Sequence, residues 1–512
     1  MKTNKVGRQI PDEIAEKYGV FEGQFARKLT YTKDAAKVTN VLPGESKLVD
    51  TIHDAILKTG LKDGMTISFH HHFREGDKVM NMVLAEIAAM GIKNLSLASS
   101  SIANVHEPLI DHINNGVITN VTSSGLRDKV GAAISHGIMK NPVVIRSHGG
   151  RGRAIEEGSI HIDVAFLGAP SSDEYGNANG SHGKATCGSM GYARVDAEFA
   201  DKVVIITDNL VPYPNTPISI PQNHVDYVVV VDSIGDPDGI AKGATRFTTN
   251  PKELLIAQNG AQAIIESPYF KDGYSFQTGT GGSTLALAQY LADEMRKRQY
   301  KASFALGGIT SPMCTMLEEG LIEKIIDTQS FDKGAAKSMK DNANHYEISA
   351  SFYANPGNKG AAVNMLDVVV LSALEVDTDF NVNVMTGSDG LIRGASGGHC
   401  DAGAGAKLTL IMTPLIRGRI PTIVDHVNTV ITPGESIDIV VTEIGIAINP
   451  KRQDLIDAFK NSTLPQYTIQ ELRDKAYAVV GEPEPIQYND KVVAVIEYRD
   501  GSVIDVVYGV DQ

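Results

Sequence analysis

The stretch "DVAFLGAPSSDEYGNAN" from Asp163 aligns without a gap on "DVVVLSALEVDTDFNVN" from Asp367, with Asp, Val, Leu, Ala, Asp, Asn and Asn at matching positions. Each copy reads as a buried strand running into a polar, Asn-rich loop. A second correspondence precedes it. Lys62-Asp63-Gly64 leads into the strand-like Met65 to Phe69, a polar loop, and the helical stripe Val79, Val83, Ile87 and Met90. Lys271-Asp272-Gly273 leads through the strand-like Tyr274 to Gln277 and "GTGGST" into Leu287, Leu291 and Met295. Strand periodicity giving way to helical periodicity twice over predicts an α/β chain of two related halves, each with a mostly parallel sheet.

A length of 512 residues suits two such domains. Glycine and proline cluster after the apolar run Val228 to Val231, which places the join near residues 232–247. The expected organisation is an extension over 1–44, a first domain over 45–243 and a second over 244–512, with the site between the halves at the carboxyl ends of the strands.

The formal net charge of −14 argues against a nucleic-acid partner and obliges any anionic substrate to find local positive charge. The amino terminus lacks the apolar core of an export signal, and the 3 cysteines form no CxxC pair, so a cytoplasmic protein is expected.

"SFHHHFREGD" places His70, His72 and Arg74 on the first strand-to-helix loop. Alternate histidines on one strand face invite a metal, but no acidic or cysteine ligand stands at zinc spacing; contacts to a bound anion or a structural loop are the other readings. We expect no metal. "SHGGRGRAIEEG" puts Arg151 and Arg153 in a glycine turn, where their forks suit a carboxylate or phosphate or simply lie in solvent. In "GTGGST" the amides of Gly281 and Gly282, with Ser283, suit a phosphate or an oxyanion; a capped tight turn is the bland alternative. "GASGGHCDAGAGA" offers Gly397, Gly398 and His399. Its GxSxG around Ser396 lacks the preceding strand that a serine nucleophile needs.

Together, the duplicated halves, "GTGG" and "GLIRGASGGHCDAGAGA" resemble the coenzyme A-transferase superfamily, from about Pro43 onward. "SFHHHFREGD" with "SHGGRGRAIEEG" resembles, within it, the citrate lyase alpha-subunit family. The resemblance implies a citrate CoA-transferase (citrate:acetyl-ACP transferase) of citrate fermentation, working with a citrate lyase beta subunit and a gamma subunit, the acyl carrier protein. That carrier bears an acetyl thioester on a phosphoribosyl-dephospho-CoA group, for which acetyl-CoA can stand in, and no cofactor is bound directly. Citrate would then meet His70, His72, Arg74, Arg151 and Arg153, and the oxyanion would meet the glycine amides. Many members of the superfamily attack the thioester with a glutamate, but here that position falls on Pro312 in "GGITSPMCTM". The departure implies direct attack by citrate through a mixed anhydride. A nonenzymatic sensor and an acyl-CoA hydrolase are the rival readings.

Overall fold

A computed structural model describes residues 1–242 and 248–511, so the expected join at 243/244 lies outside the described residues. Two large sheets carry the fold. In the first, the strands Val143–Arg146, Ile118–Ser123, Leu95–Ser99, Thr66–Phe69, Val164–Ala169, Lys202–Thr207 and Tyr227–Val230 lie side by side in that order, all parallel. In the second, His345–Glu347, Ile322–Ser330, Ala302–Ile309, Ser275–Gln277, Val368–Ser372, Leu408–Met412 and Ile439–Thr442 repeat the same order, again all parallel. In both halves the first and fifth strands are neighbours, so chain progression reverses there and opens a crevice at the strand ends.

The duplicated loops are the same turn built twice. Asp173 Oδ1 accepts the amides of Tyr175 and Asn177 at 3.0 and 3.1 Å, and Asp377 Oδ1 those of Asp379 and Asn381 at 3.0 and 2.9 Å. Asn179 and Asn383 each accept two following amides in the same way. A short polar side chain that satisfies its own backbone fixes such a loop without a core, so the matching letters at these positions mark a hydrogen-bond requirement.

The two expected strand-to-helix units are present: Thr66–Phe69 before the helix Val79–Ala89, and Ser275–Gln277 before the helix Gly282–Arg298. The expected extent of the second domain needs correction at its far end. The hairpin Tyr488–Glu497 and Val503–Val510 pairs with Val143–Arg146 and extends the first sheet. Its apolar residues, including Ala494, Ile496 and Ile504, are buried in the first core, where no edge remains open beside Val143. The amino-terminal extension is fastened to this hairpin: Ile10 and Ile14 pack on Val495, Val503 and Val506, and Phe21 meets Tyr498 edge-on at 4.8 Å.

A cleft of arginines and free amides between the halves

A cleft of about 620 Å³ opens where the strand ends of the two sheets meet. From the first half it is reached by residues just past four consecutive strands, His71, Ser101, Ser124 and His148. From the second half it is floored by Gln277 to Gly281 and Leu371 to Leu374, the crevice between its first and fifth strands. The halves are stitched across it by backbone bonds: His148 N donates to Gly397 O at 2.8 Å and Ser396 N to Ser124 O at 2.7 Å.

Four arginines, Arg74, Arg127, Arg393 and Arg417, line the cleft, and among its described lining residues Glu75 is the sole carboxylate. Arg393 is ion-paired to Asp389, and Arg417 donates to Ala373 O at 3.0 Å. Arg74 and Arg127 have no such partner among the described residues. Arg74 is held in a left-handed backbone conformation (φ 51°), a strained state for a non-glycine residue. Its guanidinium lies over Phe331, and one of its nitrogens, Nη1, is buried without a hydrogen bond. Burial and the facing charge of Arg127 pull its pKa down to about 10, so it remains a cation at neutral pH. Two unneutralised guanidiniums facing one partly dry cleft can hold an anion.

Beside them lie unused backbone donors. No hydrogen bond among the described residues takes the N–H of Gly397 or Gly398, and Gly397 has φ 53°. Gly281 caps the helix Gly282–Arg298 without any side-chain cap, so the first amides of that helix are unsatisfied within it. Thr278 Oγ1, also on the lining, is buried with no partner.

The sequence-derived residues divide sharply. Arg74, Gly281, Gly397, Gly398 and His399 line the cleft, whereas Gly282 and Ser283 begin the helix just behind the lining. His399 is committed elsewhere: Nε2–H donates to Ser372 O at 3.0 Å, so Nδ1 accepts from the Thr432 hydroxyl at 2.6 Å. Four expected anion contacts are displaced. His70 and His72 are buried off the lining with their ring centroids 4.0 Å apart, and burial drives both pKa values down, His70 to about 4. The strand ends at Phe69, the alternation ends with it, and His71 reaches the cleft instead.

Arg151 and Arg153 sit on a helix, His148–Glu156, and not in a turn. Its glycines admit a neighbour: a side chain on Gly149 would collide with the carbonyl of Ala354 at the end of the helix Ala350–Ala354. Arg151 forks onto Asp196 at 2.7 and 2.9 Å, and Arg153 meets Glu497 at 2.5 Å, both buried. Arg127 and Tyr192 were not foreseen; Arg127 carries no motif, and only its position after Ser124 on a strand-end loop distinguishes it.

The position expected from the resemblance to hold a thioester-attacking glutamate lies off the cleft lining. Pro312 is the second residue of the helix Ser311–Glu318 outside the cleft, and neighbouring Ser311 Oγ donates to the helix-capping Asp332 at 2.6 Å. Glu375 is buried and its carboxylate is consumed, accepting from Asn383 Nδ2 at 2.8 Å and from Asn428 N and Nδ2 at 2.9 Å each. Away from the cleft, His161, Asp163 and Asp201 bring ligand-type atoms within 4.8 Å of one another, but the Lys37 ammonium already sits on Asp201 at 2.6 Å.

Residues 45–510 match the family model "Citrate lyase, alpha subunit (CitF)". The chain belongs to the citrate lyase alpha subunit family. It is 56% identical over 466 residues to a citrate lyase alpha chain of Haemophilus influenzae, covering 91% of this chain and 93% of that one. It is 55% identical over 489 residues to that of Escherichia coli, covering 96% and 94%. It superposes with a TM-score of 0.98 and 67% identity on a crystal structure of the citrate lyase alpha subunit from Streptococcus mutans in complex with citrate, covering 99% of this chain and 100% of that one. A malonate decarboxylase alpha subunit from Acinetobacter baumannii shares the fold alone, at 16% identity and a TM-score of 0.63 over 85% of this chain and 87% of that one. A citrate lyase alpha chain is the transferase component of its enzyme, and this member is an α/β enzyme of that class. Among the described residues no helix is long and apolar enough to cross a membrane.

Proposed function

We propose that this chain is a citrate CoA-transferase that exchanges acetate for citrate on an acetyl thioester, with Arg74 and Arg127 holding citrate. The observation that carries the reading is this arginine pair, unneutralised and lining the same cleft as the unused amides of Gly397 and Gly398. The citrate bound by the Streptococcus mutans relative supports the substrate. A citrate carboxylate oxygen attacks the acetyl carbonyl carbon, a tetrahedral oxyanion forms, and the C–S bond breaks to give a mixed anhydride and a thiolate. The thiolate then attacks the citryl carbonyl and acetate leaves. No proton is consumed, so what the protein must supply is positioning and charge stabilisation. The capped Ser311 and the consumed Glu375 favour this direct route over an enzyme-bound acyl group.

The thioester belongs on an acyl-carrier gamma subunit, with coenzyme A as its stand-in, and a beta subunit cleaves the citryl thioester. Buried, unpaired Cys187, Cys314 and Cys400 suit work in a reducing cytoplasm. Mixing the chain with citrate and acetyl-CoA should release acetate, with no mass increase on the protein after acetyl-CoA alone. Acetate released without citrate would make it a hydrolase, no acetate would make it a binding protein, and an adduct on Glu75 would replace the direct route by a two-stage one.

A further inference from the structure

His148 opens the helix that holds the two displaced arginines, yet its own side chain serves neither ion pair. Its ring lines the cleft, stacked near His71 and tilted against Tyr192 with centroids 5.6 and 4.5 Å away. Nδ1 is buried and has no hydrogen-bond partner, and no bond among the described residues uses Nε2. Nε2 points at the glycine loop: a side-chain carbon on Gly397 would stand 3.7 Å from it. The main chain fixes this approach, because His148 N donates to Gly397 O at 2.8 Å and Gly149 N to Asp401 Oδ2 at 2.8 Å. Three unused groups, the amides of Gly397 and Gly398 and the His148 ring edge, therefore belong to one stretch of the cleft lining.

Which nitrogen carries the ring proton follows from burial. An orphaned N–H is the rarer and costlier thing to bury, so the lone pair belongs on Nδ1 and the N–H on Nε2, facing the cleft. Burial and the nearby Arg151 pull the pKa down to about 3, which keeps the ring uncharged throughout the neutral range. An uncharged imidazole is a hydrogen-bond donor that does not give up its proton, which suits a step with an oxyanion and no proton transfer.

We infer that His148 is a catalytic residue that donates a hydrogen bond from Nε2 to the oxyanion formed as carboxylate attacks acyl carbonyl, alongside the amides of Gly397 and Gly398. The inference rests on the transferase reading above. In the attack, the new C–O bond forms as the carbonyl π pair moves onto oxygen. In the collapse, that pair returns and the C–S bond breaks, with sulfur leaving as thiolate. His148 keeps its proton in both, and the same bond serves the second half of the exchange.

The test measures citrate-dependent acetate release from acetyl-CoA by the full-length chain and its His148→Ala and His148→Gln variants, with melting temperatures alongside. His148→Ala should lose about 100- to 1,000-fold in kcat with little change in KM for citrate or acetyl-CoA. His148→Gln, which restores an N–H donor, should recover about tenfold or more of that loss. The wild-type kcat should show no ionisation assignable to His148 between pH 5.5 and 8.5 that the alanine variant lacks. A kcat loss below about fivefold, a loss confined to KM, or equal loss in both variants with lowered melting would each overturn the role. An inactive wild-type chain would instead overturn the transferase reading.

Discussion

The Arg74 guanidinium lies 5.4 Å from the centre of the Phe331 ring, so a loop of the first half is laid on a loop of the second at the mouth of the cleft. Phe331 in turn packs over Gly308, where any side chain would collide with its ring. This contact keeps a cation in place without neutralising it, which an acidic partner would do. Arg74→Ala and Arg127→Ala should therefore each raise KM for citrate by about 10- to 150-fold, the cost of roughly 1.5–3 kcal/mol for a charge-assisted bond. KM for acetyl-CoA should move much less. Normal citrate binding by both variants, measured calorimetrically, would remove the arginine pair from the site.

The buried Arg151 and Asp196 pair makes the opposite prediction. Their side chains are 4% and 0% exposed, and removing one partner leaves an uncompensated charge inside the protein. Arg151→Ala should lower the unfolding free energy by about 3–5 kcal/mol, read from chemical denaturation. Replacing both residues by apolar ones of similar volume should recover much of it. A single variant with native stability and a raised citrate KM would return Arg151 to the anion site.

A pH effect is expected at the amino-terminal arm. His161 bonds to Asp34 and Asp201, each at 3.1 Å, and the bond to Asp34 leads the causes that raise its pKa above the ordinary 6.5. A raised histidine favours the folded arm most below its unfolded value, and the contribution is lost as pH climbs through the folded value. The Lys37 amide, donated to Asp201 Oδ1 at 2.9 Å, should show a hydrogen-exchange protection factor that falls from pH 6 to pH 8. A flat profile in wild type, or the same fall in His161→Gln, would show that His161 does not hold the arm.

Glu375 supplies a control for the missing nucleophile. Burial raises its pKa, while three N–H donors hold its carboxylate. Glu375→Gln turns an N–H₂ toward some of those donors and should cost about 1–3 kcal/mol of stability. Its kcat should stay within about twofold of wild type. A large kcat loss in a variant that melts normally would make Glu375 a participant in the chemistry.

The duplication and both strand-to-helix units were legible because the signals are local: Asp173 and Asp377 bond to amides two and four residues on, and Val79, Val83 and Ile87 share one buried face. The placement of Gly281, Gly397 and Gly398 on loops that reach the cleft follows from equally local signals. The arginines were not, since what separates Arg74 from Arg153 is the distant Glu497 that occupies one and not the other. The triple histidine misled because alternation was extended past Phe69, where the strand stops. The destination of residues 488–510 is set by an exposed strand edge in the other half, which no window of sequence around them records.

That destination orders events during synthesis. Strand Val143–Arg146 leaves the ribosome more than half a chain before its neighbour Tyr488–Glu497, and Glu497 is the acidic partner of both Arg146 and Arg153. Until the last residues emerge, the nascent first half carries an unpaired sheet edge and two arginines lacking this partner. The end of the chain thus closes the first sheet beside the helix that bears His148, and a translation product halted before Tyr488 is left with an adhesive edge there.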